Sequence, residues 1–337
     1  MRAFEISAGS TGIDGIRSTE RPTPTVTPTG ILVRMRAASL NFRDLMVAAG
    51  RYAGGTVVQD TIALSDGTGE VIEVGAAVTR FRVGDRVAGT FFQDWVSGLP
   101  STPRASLGAP PADGVLAEYV VFDERDAVHI PAHLSFEEAA TLPCAGVTAW
   151  HALVSVGQLR AGQTVLALGT GGVSVFALQI ARMCGAEVII TSSSDEKLAR
   201  ARALGAHHTI NYRTTPDWER EVMTLTQGRG VDHVVEVGGV GTLAKSMAAV
   251  APGGKIALIG VLTGRVGDAS PYMLMPRWSS ITGIFVGSRD MFEDFNRAVA
   301  INQMQPVIDR AFAFDEAIEA YRYMERGEHF GKVVIRF

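Results

Sequence analysis

The sequence predicts an α/β fold, a doubly wound parallel sheet inserted in a smaller β-rich domain. Three observations predict it. From about Gly162 onward, apolar strands alternate with helices. A glycine run, Gly169-Thr170-Gly171-Gly172, stands between the first of those strands and its helix. Ahead of them, from Met1 to about Ile130, short strands are broken by turns.

The β-rich part comes first. Ile31 to Arg36 reads as a strand, and Glu70 to Gly75 alternates toward a turn. Gly84-Asp85-Arg86-Val87 reads as a turn entering a strand, and Leu116 to Phe122 as another strand. Pro22 to Pro28 and Gln93 to Gly114 are rich in turn residues and read as loops. At its length, the second loop is expected to be functional or an insertion.

The texture changes at Ser135-Phe136-Glu137-Glu138, which has the spacing of a capping box opening a helix. Thr164 to Leu168 is an apolar strand, and Val173 to Cys184 a helix closed by Gly185. Glu187 to Thr191 is the next strand, and Ser193 and Glu196 have the spacing to cap the helix after it. Val231 to Val237, Lys255 to Gly260 and Ile281 to Val286 supply further strands. Continuous apolar strands alternating with helices indicate a parallel sheet covered on both faces. From about Met291 the chain holds a helix and the strand Lys332 to Phe337.

The totals bound the function. A length of 337 residues suits two domains, and 47% apolar with 20% charged residues buries a large core. Net charge is −4 with no Lys/Arg block, which argues against a nucleic-acid partner. No apolar run approaches the roughly 18 residues of a membrane span, so no membrane partner is expected. The start, Met1 to Ile6, shows no secretory apolar region, and a cytoplasmic enzyme is expected. The two cysteines, Cys144 and Cys184, build neither a disulfide framework nor a cysteine-rich zinc site.

The glycine run carries the first chemistry. Gly169 permits a tight turn, and Gly171 lets the backbone approach a pyrophosphate. Gly172 and Val173 open the helix whose N–H groups and dipole would receive it. The position of the third glycine in this Rossmann fingerprint is Ser174. An NAD-selective site usually ends its second strand on an acid that accepts from the ribose 2′-hydroxyl. Ser192 and Ser193 occupy that place, with Lys197 following, and a 2′-phosphate would prefer hydroxyls plus a cation. The cofactor expected is therefore NADP, bound as NADPH. The serines could equally serve only to cap the helix.

Several motifs now stand in order: Asp66 to Gly75, Gly84-Asp85-Arg86-Val87, and Gly169 to Val173. Together they resemble the medium-chain dehydrogenase/reductase superfamily, in its zinc-free quinone-oxidoreductase and enoyl-reductase-like branches. The resemblance implies a GroES-like catalytic domain over residues 1–130 and 291–337 and a Rossmann cofactor domain over 131–290. It implies a dimer or tetramer of like chains. Where zinc members hold Cys, His and Cys, this sequence has Asn41, Ser65 and Cys144. One thiolate cannot build a tetrahedral zinc site, so no metal is expected. Carried over residue by residue, Thr148, Val261, Val286 and Gly287 fall at the nicotinamide, and Lys332 at the pyrophosphate. Lys197 and Tyr212 fall at the 2′-phosphate. Tyr52 matches the proton donor of the enoyl-reductase branch, and Asn41 could hold a carbonyl oxygen beside it.

The function expected is zinc-independent reduction of a small molecule, a quinone, an enone or an activated carbonyl, by NADPH. Without a Lewis acid, acceptors that delocalise the developing charge are easier to reduce. Two other readings stay open: an alcohol or carbonyl dehydrogenase, and a non-catalytic dinucleotide-binding protein with a structural or redox-sensing role. Phe91, Phe92, Trp95 and Trp278 are candidate aromatic walls of a substrate site, and His129, His207, His208 and His233 are read as ordinary surface or core residues.

Overall fold

The computed structural model describes residues 1–52, 55–100, 105–264, 266–267 and 269–337. They form two compact units, Met1–Val147 with Gly287–Phe337, and Thr148–Val286.

The first unit is built on a seven-stranded sheet. Its main path runs Ile308–Ala313, Lys332–Arg336, Gly30–Leu40, Asp66–Val74, Arg86–Gly89 and Ala127–His129, and Tyr119–Asp123 also pairs with Gly30–Leu40. Gly30–Leu40 is central, and nearly all its side chains are buried. A three-stranded sheet of Ile16–Glu20, Arg2–Ile6 and Thr61–Ile62 lies in the same unit. Ile31, Val33, Met35, Leu40, Val71 and Ile335 belong to its core, with Tyr321 from the helix Ala317–Glu325. The C-terminal strand thus lies directly against Gly30–Leu40, pairing Val333 with Leu40. That pairing sets Lys332 beside Asn41.

Residues 131–147, assigned to the cofactor domain from the sequence, cluster with the first unit. Ser135 caps the short helix Phe136–Ala139 as its spacing predicts. The segment is then tied down by hydrogen bonds: Ser39 Oγ donates to Ala140 O at 2.8 Å, and Thr68 Oγ1 to Phe136 O at 2.7 Å. The loop Gln93 to Gly114 packs inward at both ends, with Trp95, Leu107 and Ala109 buried. Its residues 101–104 lie outside the described residues.

The second unit holds a six-stranded parallel sheet in the order His208–Asn211, Glu187–Ser192, Thr164–Ala167, Val231–Glu236, Val250–Leu258 and Ser280–Gly283. Chain order runs outward one way from Thr164–Ala167, then outward the other way from Val231–Glu236. The carboxyl ends of these two strands therefore form a topological switch point, where such sheets bind ligands. Gly172–Met183, Asp195–Ala203, Trp218–Leu225 and Val240–Ala249 pack against the sheet. Burial of every side chain of Thr164–Ala167 follows from that cover. Among the described residues, no helix is long and apolar enough to cross a membrane.

Candidate functional site

In the first unit the site grows from the start of the helix Phe42–Ala48. The backbone N–H of Asn41 donates to Asp44 Oδ2 at 2.7 Å, and the N–H of Asp44 donates to the Asn41 carbonyl at 2.9 Å. This reciprocal pair satisfies groups that a helix terminus leaves without partners. It does not use the Asn41 carboxamide. Asn41 Oδ1 instead accepts from Lys332 Nζ at 2.6 Å, and the same ammonium donates to Leu40 O at 2.6 Å. Asp66 Oδ2 lies 3.8 Å from Lys332 Nζ. Ser65 Oγ donates to Asp66 Oδ1 at 2.8 Å, and the Cys144 N–H to Asp66 Oδ2 at 3.1 Å.

Arg43 continues the cluster toward Tyr52. Its guanidinium donates to Leu107 O at 2.8 Å and to Ser106 Oγ at 2.9 Å, and stands 3.5 Å from Asp44 Oδ1. Its centre lies 4.4 Å from the Tyr52 ring and 4.7 Å from the Phe91 ring. Asn41 and Tyr52 therefore belong to one connected group, joined through Asp44 and Arg43.

Burial dominates the electrostatics. It pushes the Asp44 carboxyl up to about 6 against the pull of Arg43. It raises Asp66 against the pull of Lys332. Burial, helped by the Asp66 carboxylate, pushes the Cys144 thiol up, so it stays protonated at neutral pH. Burial also raises the Tyr52 phenol, which Arg43 opposes; the phenol stays protonated and able to donate. Asn41 Nδ2 and Tyr52 Oη are both buried and close no hydrogen bond of ordinary geometry among the described residues, although Asp66 interacts with the first side chain and Arg43 and Ser106 with the second. Such a group costs about 1–3 kcal/mol, and its retention calls for an explanation such as a ligand or a catalytic role.

The second unit supplies a different kind of site. Gly169 has φ +74°, and its N–H donates to Thr191 Oγ1 at 3.1 Å. Gly171 is the N-cap of the helix Gly172–Met183, so Gly172 and Val173 stand in its first turn. A Cβ placed at Gly171 would meet no atom within 4 Å. Among the described residues no atom requires glycine there, and the open space leaves the first-turn N–H groups approachable by a pyrophosphate. Ser174, at the third-glycine position, donates to Leu168 O at 2.6 Å and ties the helix to the strand end. The chemistry of this open turn fits a pyrophosphate.

Ser192 ends the strand Glu187–Ser192 with its hydroxyl turned inside, 3.3 Å from Thr170 Oγ1 and only 3% exposed. The cap of the next helix, Asp195–Ala203, is Ser194, whose Oγ accepts from Lys197 N. The Ser193 cap expected from spacing is thus displaced by one residue, which leaves Ser193 out of the capping bond. Lys197 is half-buried, and Tyr212 is 42% exposed, its N–H donating to Ser192 O at 3.0 Å. Asp195, the nearby acid, accepts from Asn211 Nδ2 at 2.8 Å. Val261 stands at a turn joined to the end of Val231–Glu236 by Thr263 Oγ1 donating to Gly238 O at 2.8 Å. Thr148 is buried. Val286 has φ +56°, which strains a β-branched residue, and its carbonyl lies 2.6 Å from His151 Nδ1. Gly287 falls in the first unit, where a Cβ would meet Val147.

Residues 27–132 match the alcohol dehydrogenase GroES-like domain, and residues 172–301 match the zinc-binding dehydrogenase family. A zinc-type alcohol dehydrogenase-like protein of Schizosaccharomyces pombe is 42% identical over 96% of both chains. The chain belongs to the medium-chain dehydrogenase/reductase superfamily. A quinone oxidoreductase of Pseudomonas aeruginosa is 31% identical over 91% of each chain. A solved NAD-dependent alcohol dehydrogenase superposes with a TM-score of 0.91 at 34% identity, over 100% of both chains. As a member of this superfamily the protein is an oxidoreductase that uses a nicotinamide dinucleotide.

The zinc that names one of these families does not fit the residues present. The three positions that would hold zinc offer one protonated thiol, a carboxamide and a hydroxyl; the neighbouring Asp66 carboxylate is already engaged by Ser65, the Cys144 N–H and Lys332, and that lysine ammonium is bonded to the carboxamide oxygen. An ammonium held there opposes a second cation by charge.

Several placements differ from expectation. Lys332, expected at the pyrophosphate, is 2% exposed and engaged with Leu40 and Asn41. Phe91, Phe92 and Trp95 are core residues rather than walls, with Phe91 and Phe92 edge to face at 4.7 Å. Trp278 is 83% exposed. His233 agrees with its reading as an ordinary surface or core residue: it is a core residue, buried against Gln163, and burial pushes it down to about 4. Sequence reasoning passed over Arg43, Asp44 and His151. The Asn41-x-x-Asp44 spacing was the available signal for the cap. Nothing local marks His151, whose partner Val286 is far away in sequence.

Proposed function

We propose that the protein is an NADPH-dependent, zinc-independent reductase of quinones, enones or activated carbonyls. The observation that carries this reading is a pair of buried donors, Asn41 Nδ2 and Tyr52 Oη, that close no hydrogen bond of ordinary geometry among the described residues and lie in one charged cluster. The bound dinucleotide would supply the hydride. As charge develops on the substrate oxygen, Asn41 Nδ2 donates to it, and Tyr52 delivers the proton that completes reduction. Conjugated acceptors suit two neutral donors, because they spread the charge that a simple ketone would concentrate.

Thr148, Val261, Val286 and Gly287 are assigned to the nicotinamide. Gly169, Gly171, Gly172 and Val173 are assigned to the pyrophosphate, and Ser193, Lys197 and Tyr212 to the 2′-phosphate. Ser192 acts from behind, through its contact with Thr170. Support for NADPH comes from the release of Ser193 from capping and the engagement of Asp195 with Asn211. A second reading, an NAD(P)-dependent alcohol or carbonyl dehydrogenase, draws support from the names of the relatives.

The deciding experiment follows NADPH absorbance with panels of quinones, enones, aldehydes and alcohols, in chelator and then with added zinc. Turnover of conjugated acceptors, unchanged by chelator, is expected. Alcohol oxidation abolished by chelator and restored by zinc would overturn the proposal in favour of the second reading. We also propose a second copy of this chain as partner. Tyr272, Met275, Trp278 and Phe285 are exposed around the edge strand Ser280–Gly283, whose outer backbone groups can pair with another strand. Light scattering should give a dimer or tetramer, and Trp278→Glu should lower the mass.

A further inference from the structure

A carboxamide has two faces of opposite character, an acceptor oxygen and a donor nitrogen. Whichever end meets a fixed neighbour decides what the other end can offer. Lys332 carries three N–H donors and no acceptor, so only Asn41 Oδ1 can face it. The 2.6 Å contact between Lys332 Nζ and Asn41 Oδ1 therefore dictates that Nδ2 is the end left over. That nitrogen is buried and closes no hydrogen bond of ordinary geometry among the described residues; the Asp66 carboxylate interacts with the same side chain without forming that bond.

We infer that Lys332 is a positioning residue, whose buried ammonium holds the Asn41 carboxamide in the one orientation that offers Nδ2 to the substrate oxygen. The inference rests on the proposed role of Asn41 as the group that holds that oxygen. Lys332 is itself fixed. Its second donor is bonded to Leu40 O at 2.6 Å, and Asp66 stands 3.8 Å away. Asp66 in turn is tied by the Ser65 hydroxyl and the Cys144 N–H. A bond from a charged donor also polarises the amide, which makes its remaining N–H a stronger donor. An ammonium so engaged would have to release two short bonds to reach a pyrophosphate.

The test is a double-mutant cycle with Lys332→Met, Asn41→Ala and the pair together, read as kcat/KM on an enone and as NADPH affinity. Lys332→Met is expected to lower kcat/KM about ten- to a hundredfold, the loss appropriate to one charge-assisted bond. Because Lys332 acts through Asn41, the double variant should match Asn41→Ala within about twofold. Lys332→Gln keeps an N–H donor toward Oδ1 and should recover most of the loss. NADPH affinity should stay within about twofold throughout. Multiplying losses in the double variant, or a tenfold fall in NADPH affinity with Lys332→Met, would overturn the inference. Should Lys332→Met fail to fold, Lys332→Met with Asp66→Asn removes both charges and takes its place in the cycle.

A readout independent of turnover is the Asn41 side-chain amide, observed by NMR with asparagine-selective ¹⁵N labelling and identified by its loss in Asn41→Ala. One sharp pair is expected in the wild type, broadened or doubled in Lys332→Met and restored in Lys332→Gln. A pair unchanged in Lys332→Met overturns the inference. If the wild type reduces no conjugated acceptor, the reductase reading fails, and this amide signal still decides the role of Lys332.

Discussion

Lys332, Asp66, Asp44 and Arg43 are each less than a tenth exposed, and they touch one another or a common neighbour. In the second unit, the groups assigned to the dinucleotide are a glycine turn with open space before it, a half-buried lysine and an exposed tyrosine. The first arrangement works by coupling: each charge is tolerated only because another opposes it, so removing one disturbs the rest. The second works by addition, since backbone N–H groups and separate side chains contribute independently. On the proposed assignments, one unit serves control of proton and charge. On the same assignments, the other serves affinity, with parts that can be changed one at a time.

Substitutions can break or sharpen that contrast. The largest effect is expected at Tyr52. Tyr52→Phe should lower kcat on enones by roughly 10²–10⁴-fold, the range for loss of a general acid, with NADPH affinity almost unchanged. Quinones, which accept charge more readily, should suffer less. Wild-type turnover on enones by this variant would remove Tyr52 from the proposal.

Next comes Lys197. Lys197→Ala should cost about ten- to a hundredfold in NADPH affinity, measured by titration, and leave NADH nearly untouched. Equal losses for both cofactors would show that the lysine serves the fold and not the 2′-phosphate.

Gly171→Ala should weaken NADPH and NADH alike, by about tenfold, while changing stability by less than about 0.5 kcal/mol. The expectation follows from the empty space where the Cβ would lie. A clear drop in melting temperature would mean that the glycine answers to the protein's own packing.

The smallest effect concerns Asp44, and it separates coupled from additive behaviour by pH. Its carboxyl is raised from 3.8 to about 6 on folding, so the folded chain binds the extra proton between those values. The stability associated with that proton is fully present below about 4 and is lost as pH rises through about 6. Asp44→Asn cannot lose it. The melting temperature of Asp44→Asn relative to wild type should rise by about 2–4 °C between pH 4 and pH 7. A constant difference across that range would count against a carboxyl whose burial outweighs the pull of Arg43.

The second unit was the more legible in sequence. Its apolar strands, its glycine run and the helix closed by Gly185 are local patterns; the structure reproduces Thr164–Ala167 and Gly172–Met183 within a residue, whereas the strand read from Lys255 begins at Val250 and the one read as far as Val286 ends at Gly283. The Ser193 cap moved to Ser194 because three consecutive serines offer equivalent hydroxyls, and only the strand's end decides among them. The first unit hid more. Asn41 and Tyr52 could be picked out by resemblance, but the bond from Lys332 to Asn41 spans 291 positions of sequence. No periodicity reports it. Phe91, Phe92 and Trp95 were misjudged for a related reason, since aromatic clusters look alike in sequence whether they line a site or fill a core.

The contact between His151 and Val286 has a consequence for how this chain can be taken apart. It brings the entry and the exit of the second unit within a single hydrogen bond of each other. In the first unit, Gly287 likewise lies against Val147. Each piece therefore has its cut ends side by side, as an inserted cassette requires. A few flexible residues joining Val147 to Gly287 would close one piece, and Thr148–Val286 could be excised, circularly permuted or grafted without stretching its backbone.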